Sequence, residues 1–475
     1  MIFTGNRVFL VAITITFAIA IAMTLGSIMS IGPSVNPSFA ISELAGEERE
    51  SDEDKSTSSS NGGGKKVVQS TIIAAKQESK LANMSIPTMV YNGSLVGPTL
   101  RASPGDRIEL KLVNSLDEHT NLHFHGLHVS PLNNSDNVFR EVGPGETANY
   151  VIDIPVNHPP GTFWYHPHLH GMAYEQVSNG LSGLIVIDGL MDLLPKSLQN
   201  ITQQTIAMKD FEVSSDPAIP RQRTVNGQVN PEINIKPGET QLWRLANIGS
   251  ETYYNIVLPN HTFHVIAEDG NPVWHVWDAK QLLLPSGKRY DVLVTAGAAG
   301  TYPLIALSTH LGCVYCPEVT LAEINAAGVP KTPASSPSNL TSRNDLGNQT
   351  VDRYRTLVFS SNDKERHYMI DGNIFDPARI DQQVKLGDLE EWTIRNMDDE
   401  EQSHTFHIHV NDFQVMSING QPYNASGLQD TVVLPGKGEV VIRIPFDDFI
   451  GKFVYHCHII FHEDHGMMGV VEVTE

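Results

Sequence analysis

Three cysteines in 475 residues are too few for a disulfide-rich scaffold. Basic residues are also scarce: Lys and Arg total 32 against 54 Asp and Glu, a formal net charge of −22. Phosphate binding needs a basic surface, so this balance argues against a nucleic-acid partner. It permits attraction of cations and says nothing about fold. Aromatic residues make up only 7%, whereas Gly 37 and Pro 28 imply many turns. Helical periodicity is weak throughout. A hydrophobic fraction of 40% still suffices for large cores, and the length predicts roughly two to four domains. The abundant residue is histidine, with 20 copies, and the reading turns on where they fall.

Arg7 precedes an apolar run from Val8 to Ile31. That is about the ~20 residues needed to span a bilayer and longer than the usual signal-peptide core. Ser38-Phe39-Ala40 offers a small-x-small cleavage site. Residues 1–40 therefore read as a signal peptide or a membrane anchor, and either one exports the rest of the chain. Residues 41–66 read as a disordered linker: seven acids against Arg49 lie between 43 and 54, followed by a Ser/Gly/Lys stretch. The expected location is extracytoplasmic, secreted or anchored on the outer face.

The remaining stretch, about 410 residues, repeats itself three times. One marker is an Asn/Asp-Gly turn, at Asn92-Gly93, Asn226-Gly227 and Asp371-Gly372. A second is a Gly turn leading into an alternating strand that ends in Asn114, Asn247 or Asn396. A third turn and strand begin at Pro144-Gly145, Pro285-Ser286-Gly287 and Pro435-Gly436. A fourth strand follows Gly161, Gly300 and Gly451. Short strands rich in Val, Ile, Thr and Tyr between such turns predict all-β sandwiches. The expected domains span 67–195, 196–328 and 350–475, with a loop near 330–350.

Twelve residues in four clusters carry the chemistry. His123-Phe124-His125 and His166-Pro167-His168 lie in the first repeat. His404-Thr405-Phe406-His407-Ile408-His409 and His456-Cys457-His458, followed by His462 and Met467, lie in the third. Side chains on a strand alternate faces, so a His-x-His pair aims both imidazoles one way. Four such pairs bring eight histidines to one spot, and imidazole suits copper, zinc, iron and nickel. Cys457 points away from His456 and His458. With His404, His462 and Met467 it makes the thiolate, two imidazoles and thioether of a blue-copper site, a set that favours copper over zinc.

Together the four motifs resemble those of the three-domain multicopper oxidases, the laccase-like family, over roughly residues 67–475. The resemblance implies three consecutive cupredoxin-like Greek-key β-sandwiches and four copper ions. It gives His404, Cys457, His462 and Met467 to type 1 copper, and His123 and His407 to type 2. His125, His166, His168, His409, His456 and His458 go to the type 3 pair. The trinuclear group would lie between the first and third domains, since each supplies four histidines. The second repeat has Tyr254-Asn255-Ile256-Val257 and Ile305-Ala306-Leu307 where the others have His-x-His. It is therefore expected to be a copper-free spacer that also shapes the substrate side.

The implied reaction oxidises a small-molecule or metal-ion donor one electron at a time and reduces dioxygen to water. Proton delivery falls to Glu463, directly after His462, and to Asp136, beyond His125-Gly126. The bland alternative for each is a loop carboxylate or a partner that orients a histidine. Phenols and aromatic amines are the expected donors, and Cu(I), Fe(II) or Mn(II) the alternative. A copper nitrite reductase lacks a type 3 pair, which disfavours it here, and a copper-storage protein would show no turnover. His170 and His465 lie close to the motifs but outside the family spacing. His310, Cys313 and Cys316 form a separate group, readable as a local disulfide, an extra metal site or free thiols.

Overall fold

Each of the three repeats folds into a pair of sheets. The computed structural model describes residues 58–59, 65–214, 219–311, 316–362 and 364–475. The expected signal or anchor and most of the expected linker lie outside these residues. Within the linker stretch, Ser58 and Ser59 pair with Val68 and Val67. No helix among the described residues is long and apolar enough to cross a membrane.

In the first sandwich, one sheet holds Val67–Leu81, Met84–Tyr91, Arg107–Asn114 and Thr147–Asp153. The other holds Gly97–Ala102, His123–His125, Gly161–His166 and Gly183–Ile187. The second sandwich runs from Gln203–Phe211 to Val319–Ala326 and the third from Arg353–Asn362 to Met468–Thr474, each with a six-stranded and a five-stranded sheet. The described residues are all-β apart from short helical turns, two of which matter here: α1 (Ala173–Ser178) and α2 (Ile460–Asp464).

The wiring repeats with the sequence. The opening strand of each sandwich runs parallel to the strand that ends in Asn: Ile73 lies beside Val113, Ala207 beside Ala246, Val358 beside Arg395. The strand after the third marker then pairs antiparallel: Leu110 faces Tyr150, Trp243 faces Val292, Trp392 faces Ile442. The terminal Asn does the same work three times. Asn114 Nδ2 donates to the carbonyls of Val142 and Gly143, Asn247 Nδ2 to Thr252 and Leu284, and Asn396 Nδ2 to Gln402 and Leu434. Each carboxamide oxygen accepts a backbone N–H two residues on. A buried amide thus ties two loops across one end of each sandwich. In the third, those loops flank His404.

Burial shows how the sandwiches meet. Arg107–Asn114 and Glu439–Pro445 alternate buried with more exposed positions, with one face on a core and the other towards water. Thr240–Asn247 is buried along its whole length, because the first sandwich covers its outer face. There Arg244 Nη1 donates to Thr162 Oγ1 at 3.1 Å and pairs with Asp291 at 3.0 Å. The third core, around Trp392, Phe406 and Tyr455, takes in Cys457 and Met467 and also Tyr253 from the second sandwich. Helices α1 and α2 touch through Ala173, Val177 and Ile460, and Asp464 accepts the N–H groups of Gly171 and Tyr174.

The histidine strands occupy one structural position. His123 lies opposite His166, and His407 opposite His456. The equivalent pair in the second sandwich sets Ile256 opposite Ala306. It can offer a metal nothing.

Candidate metal centre

Cys457 ends the strand Gly451–Cys457, and His404 opens the strand His404–Ile408. Their shared sheet brings Cys457 Sγ within 3.5 Å of His404 Nδ1. The chain then turns through α2, which returns His462 Nδ1 to 3.7 Å from the same sulfur and 3.1 Å from His404 Nδ1. Met467 is buried in this core. Its N–H donates to the His462 carbonyl and its carbonyl accepts the Cys457 N–H, both at 3.0 Å. A strand, one helical turn and a second strand therefore produce the five-residue spacing. His404 Nε2 sits 2.8 Å from Asp398 Oδ2. Burial lowers the His404 imidazole, but Cys457 and Asp398 outweigh it and lift it to about 9. Tyr368 stacks on His462 with ring centres 4.2 Å apart.

The eight remaining histidines meet between the first and third sandwiches, and all are buried. His168, His409 and His456 point their Nε2 atoms at one another at 3.1–3.2 Å. His125 Nδ1 lies 3.1 Å from His458 Nε2. The His123 and His409 rings stack at 3.7 Å, and those of His125 and His407 at 3.9 Å. Five of the eight are tied outward through Nδ1. His123 meets Asp136, His166 the Pro167 carbonyl, His407 the Asp430 carbonyl, His456 the Cys457 carbonyl and His458 the Ser286 hydroxyl. The Nε2 atoms of His123, His166 and His407 are buried without a hydrogen-bond partner.

A buried polar atom left unpaired costs free energy, so these inward nitrogens fit a cation they can coordinate. Their protonation state fits as well. Burial pulls His123, His125, His166, His409 and His458 well below the usual imidazole range, His168 to about 4 and His407 to about 3. Neutral imidazole is the form that binds metal. Among the described residues, every group with metal-holding geometry draws on the first and third sandwiches, and none on the second.

Both expected proton carriers touch this site. Glu463 is fully buried, with Oε2 3.1 Å from His456 Nδ1 and Oε1 3.5 Å from His168 Nε2. Asp136 sets both oxygens 3.0 Å from His123 Nδ1 and accepts the Phe124 N–H. Burial pushes its carboxyl up to about 7, against the pull of that N–H. His170 and His465 stay out of the cluster: His170 packs edge-on against Phe375, and His465 Nδ1 donates to the Phe461 carbonyl. Cys316 is disulfide-bonded and Cys457 is a free thiol; Cys313 lies outside the described residues.

Sequence reasoning missed Ser286, Arg289, Asp398 and Asp430. Ser286 and Arg289 belong to the second sandwich, expected to be a spacer, yet they reach the rim of the histidine cluster. Pro285-Ser286-Gly287 was visible only as a repeat marker, and nothing in a single sequence singles out Asp430.

Three family models, each described as multicopper oxidase, match residues 73–191, 184–314 and 344–475. The multicopper oxidase mco of Staphylococcus epidermidis is 32% identical over 403 residues, covering 82% of this chain and 84% of that protein. Laccase-1 of Melanocarpus albomyces is 24% identical, over 80% of this chain and 73% of its own. Among solved structures, a Campylobacter jejuni multicopper oxidase described as a metallo-oxidase is 26% identical. It superposes with a TM-score of 0.75 over 86% of this chain and 92% of its own. The chain belongs to the multicopper oxidases, copper-dependent enzymes that use oxygen.

Proposed function

We propose that this protein couples one-electron oxidation of phenolic or aromatic-amine donors to the four-electron reduction of dioxygen to water. In this reading it holds four coppers, in three domains at 67–195, 196–328 and 350–475. His404, Cys457, His462 and Met467 hold type 1 copper, and His123 and His407 hold type 2. His125, His166, His168, His409, His456 and His458 hold the type 3 pair. Bound copper supplies the one-electron redox chemistry and the dioxygen reduction.

The observation that carries this reading is the position of Cys457. Its sulfur faces His404 and His462, while His456 and His458 on either side join the eight-histidine cluster. One peptide bond on each side separates a donor-facing site from an oxygen-facing site. His462 is the one type 1 ligand in this reading that is only partly buried, with Tyr368 stacked on it, so donors approach there. In this reading Glu463 and Asp136 relay protons beside His456 and His123. Export through the apolar run Val8–Ile31 would place the enzyme outside the cytoplasm.

One observation favours a second reading, a metal-ion donor such as Cu(I), Fe(II) or Mn(II). Asp398 contacts His404 directly, and Asp399, Glu400 and Glu401 follow it on the exposed surface. Negative charge beside the electron entry point attracts cations. A donor panel of phenols, aromatic amines and these three ions, with oxygen uptake and copper counting, tests both. Uptake driven by phenols supports the first reading, and uptake driven by cations alone replaces it with the second. A chain loaded with four coppers that consumes no oxygen with any donor sinks both.

A further inference from the structure

One of the eight histidines is held the opposite way round. His125 turns Nε2 outward, 3.1 Å from Asp430 Oδ1, and leaves Nδ1 facing His458. Asp430 is itself immobilised. Arg289 donates to both its oxygens, Nη1 at 2.9 Å and Nη2 at 2.7 Å, and Thr431 Oγ1 donates to Oδ1 at 2.7 Å. The Asp430 backbone N–H is bound by Asp269, and its carbonyl receives His407 Nδ1. Arg289 belongs to the second sandwich and is fully buried. It is braced by the Thr162 and Gly287 carbonyls and, through its backbone N–H, by Asp269. A bidentate guanidinium–carboxylate pair fixes orientation as well as charge. The pair needs room: Gly126 has φ +81°, and a Cβ there would run into both Arg289 Nη2 and Asp430 Oδ2.

We propose that Arg289, acting through Asp430, is the positioning residue that holds His125 with Nδ1 towards the trinuclear copper site. The second sandwich is then a working part of that site and not a spacer. This rests on the copper-site assignment proposed above. A carboxylate that accepts the Nε2–H leaves Nδ1 unprotonated, and only an unprotonated nitrogen coordinates a metal. All seven other cluster histidines either tie Nδ1 outward or aim Nε2 into the cluster. His125 is the one tied outward through Nε2, by a carboxylate that a guanidinium of another sandwich holds in place.

The test is copper retention against a graded chelator series, in the full-length protein and in Asp430→Asn. Blue absorbance reports type 1 copper, metal analysis reports the total, and calorimetry reports folding. Asp430→Asn should weaken retention at the histidine cluster about 10–100-fold, with blue absorbance close to that of the unmodified protein and a cooperative unfolding transition retained at a lower midpoint, since Arg289 loses its buried partner. Arg289→Lys, which keeps the charge and loses the fork, should fall between the two. Unchanged retention overturns the proposal. So does loss of all coppers, blue absorbance included, since that is a general structural role. Should Asp430→Asn not fold, a crystal structure of the copper-loaded unmodified protein decides: Nδ1 towards the metal supports the proposal, and Nε2 towards the metal overturns it. An unmodified protein that binds no copper overturns the functional reading and this proposal with it.

Discussion

Cys457 turns its sulfur one way while its neighbours turn their imidazoles the other, and strand alternation alone accounts for this. Beside it, Glu463 faces the His456 and His168 imidazoles. That environment suits proton transfer more than structural support. Glu463→Gln should leave copper content and blue colour intact and lower oxygen turnover about 100-fold or more. Oxygen uptake across a pH series checks this, and full turnover at every pH removes the relay role. A second histidine effect lies outside the histidine cluster. His158 accepts the His128 N–H at Nε2 and donates from Nδ1 to the Pro159 carbonyl, an arrangement only the neutral ring can make. Burial lowers it to about 4. The unfolded chain takes up this proton near pH ~6.5, so it binds more protons than the folded one between there and about 4. Stability is therefore lost as pH falls through that window, by about 3 kcal/mol at most. Relative to His158→Gln, the unmodified protein should lose that advantage between pH 7 and 4 in denaturant titrations.

The strands and turns were the most legible part of the molecule. Asn92, Asn226 and Asp371 have φ of 52–53°, and each side chain accepts a backbone N–H from the preceding strand. A local turn signal therefore sufficed to find all three. The His-x-His pairs were legible for the same reason, since period-two alternation needs no tertiary information. Arg289 and Asp430 were not, because 141 positions separate them and their meeting depends on how two sandwiches pack. Asn396 stands between these cases: its repeat was visible and its role was not. Its buried amide holds the loop that carries Asp398 to His404. Asn396→Ala leaves two carbonyls and an N–H without their partner, at a cost of about 1–3 kcal/mol. The expected result is a lower unfolding midpoint with a shifted blue band, read by calorimetry and absorbance. A midpoint shift with an unmoved band would confine the amide to a purely structural task.

Across the whole molecule, the first and third sandwiches each give four histidines to one cluster, and the second braces its rim. A ligand bound only by the native state stabilises it. Stripping copper should therefore lower the unfolding midpoint, by roughly 5 °C or more, and reloading should restore it. Scanning calorimetry with and without chelator measures this. Identical midpoints would mean that the cluster adds nothing to the association of the sandwiches. The division of the cluster has another consequence, one of timing. His168 and His456, in contact in the folded protein, are 288 positions apart in the chain. At usual rates of synthesis, the first is made roughly 15–60 s before the second. Throughout that interval a nascent chain carries half a metal site, open to whatever cation it meets. The proposed set of ligands is complete only once His456, His458, His462 and Met467 have been made, so four-copper loading would have to follow their synthesis.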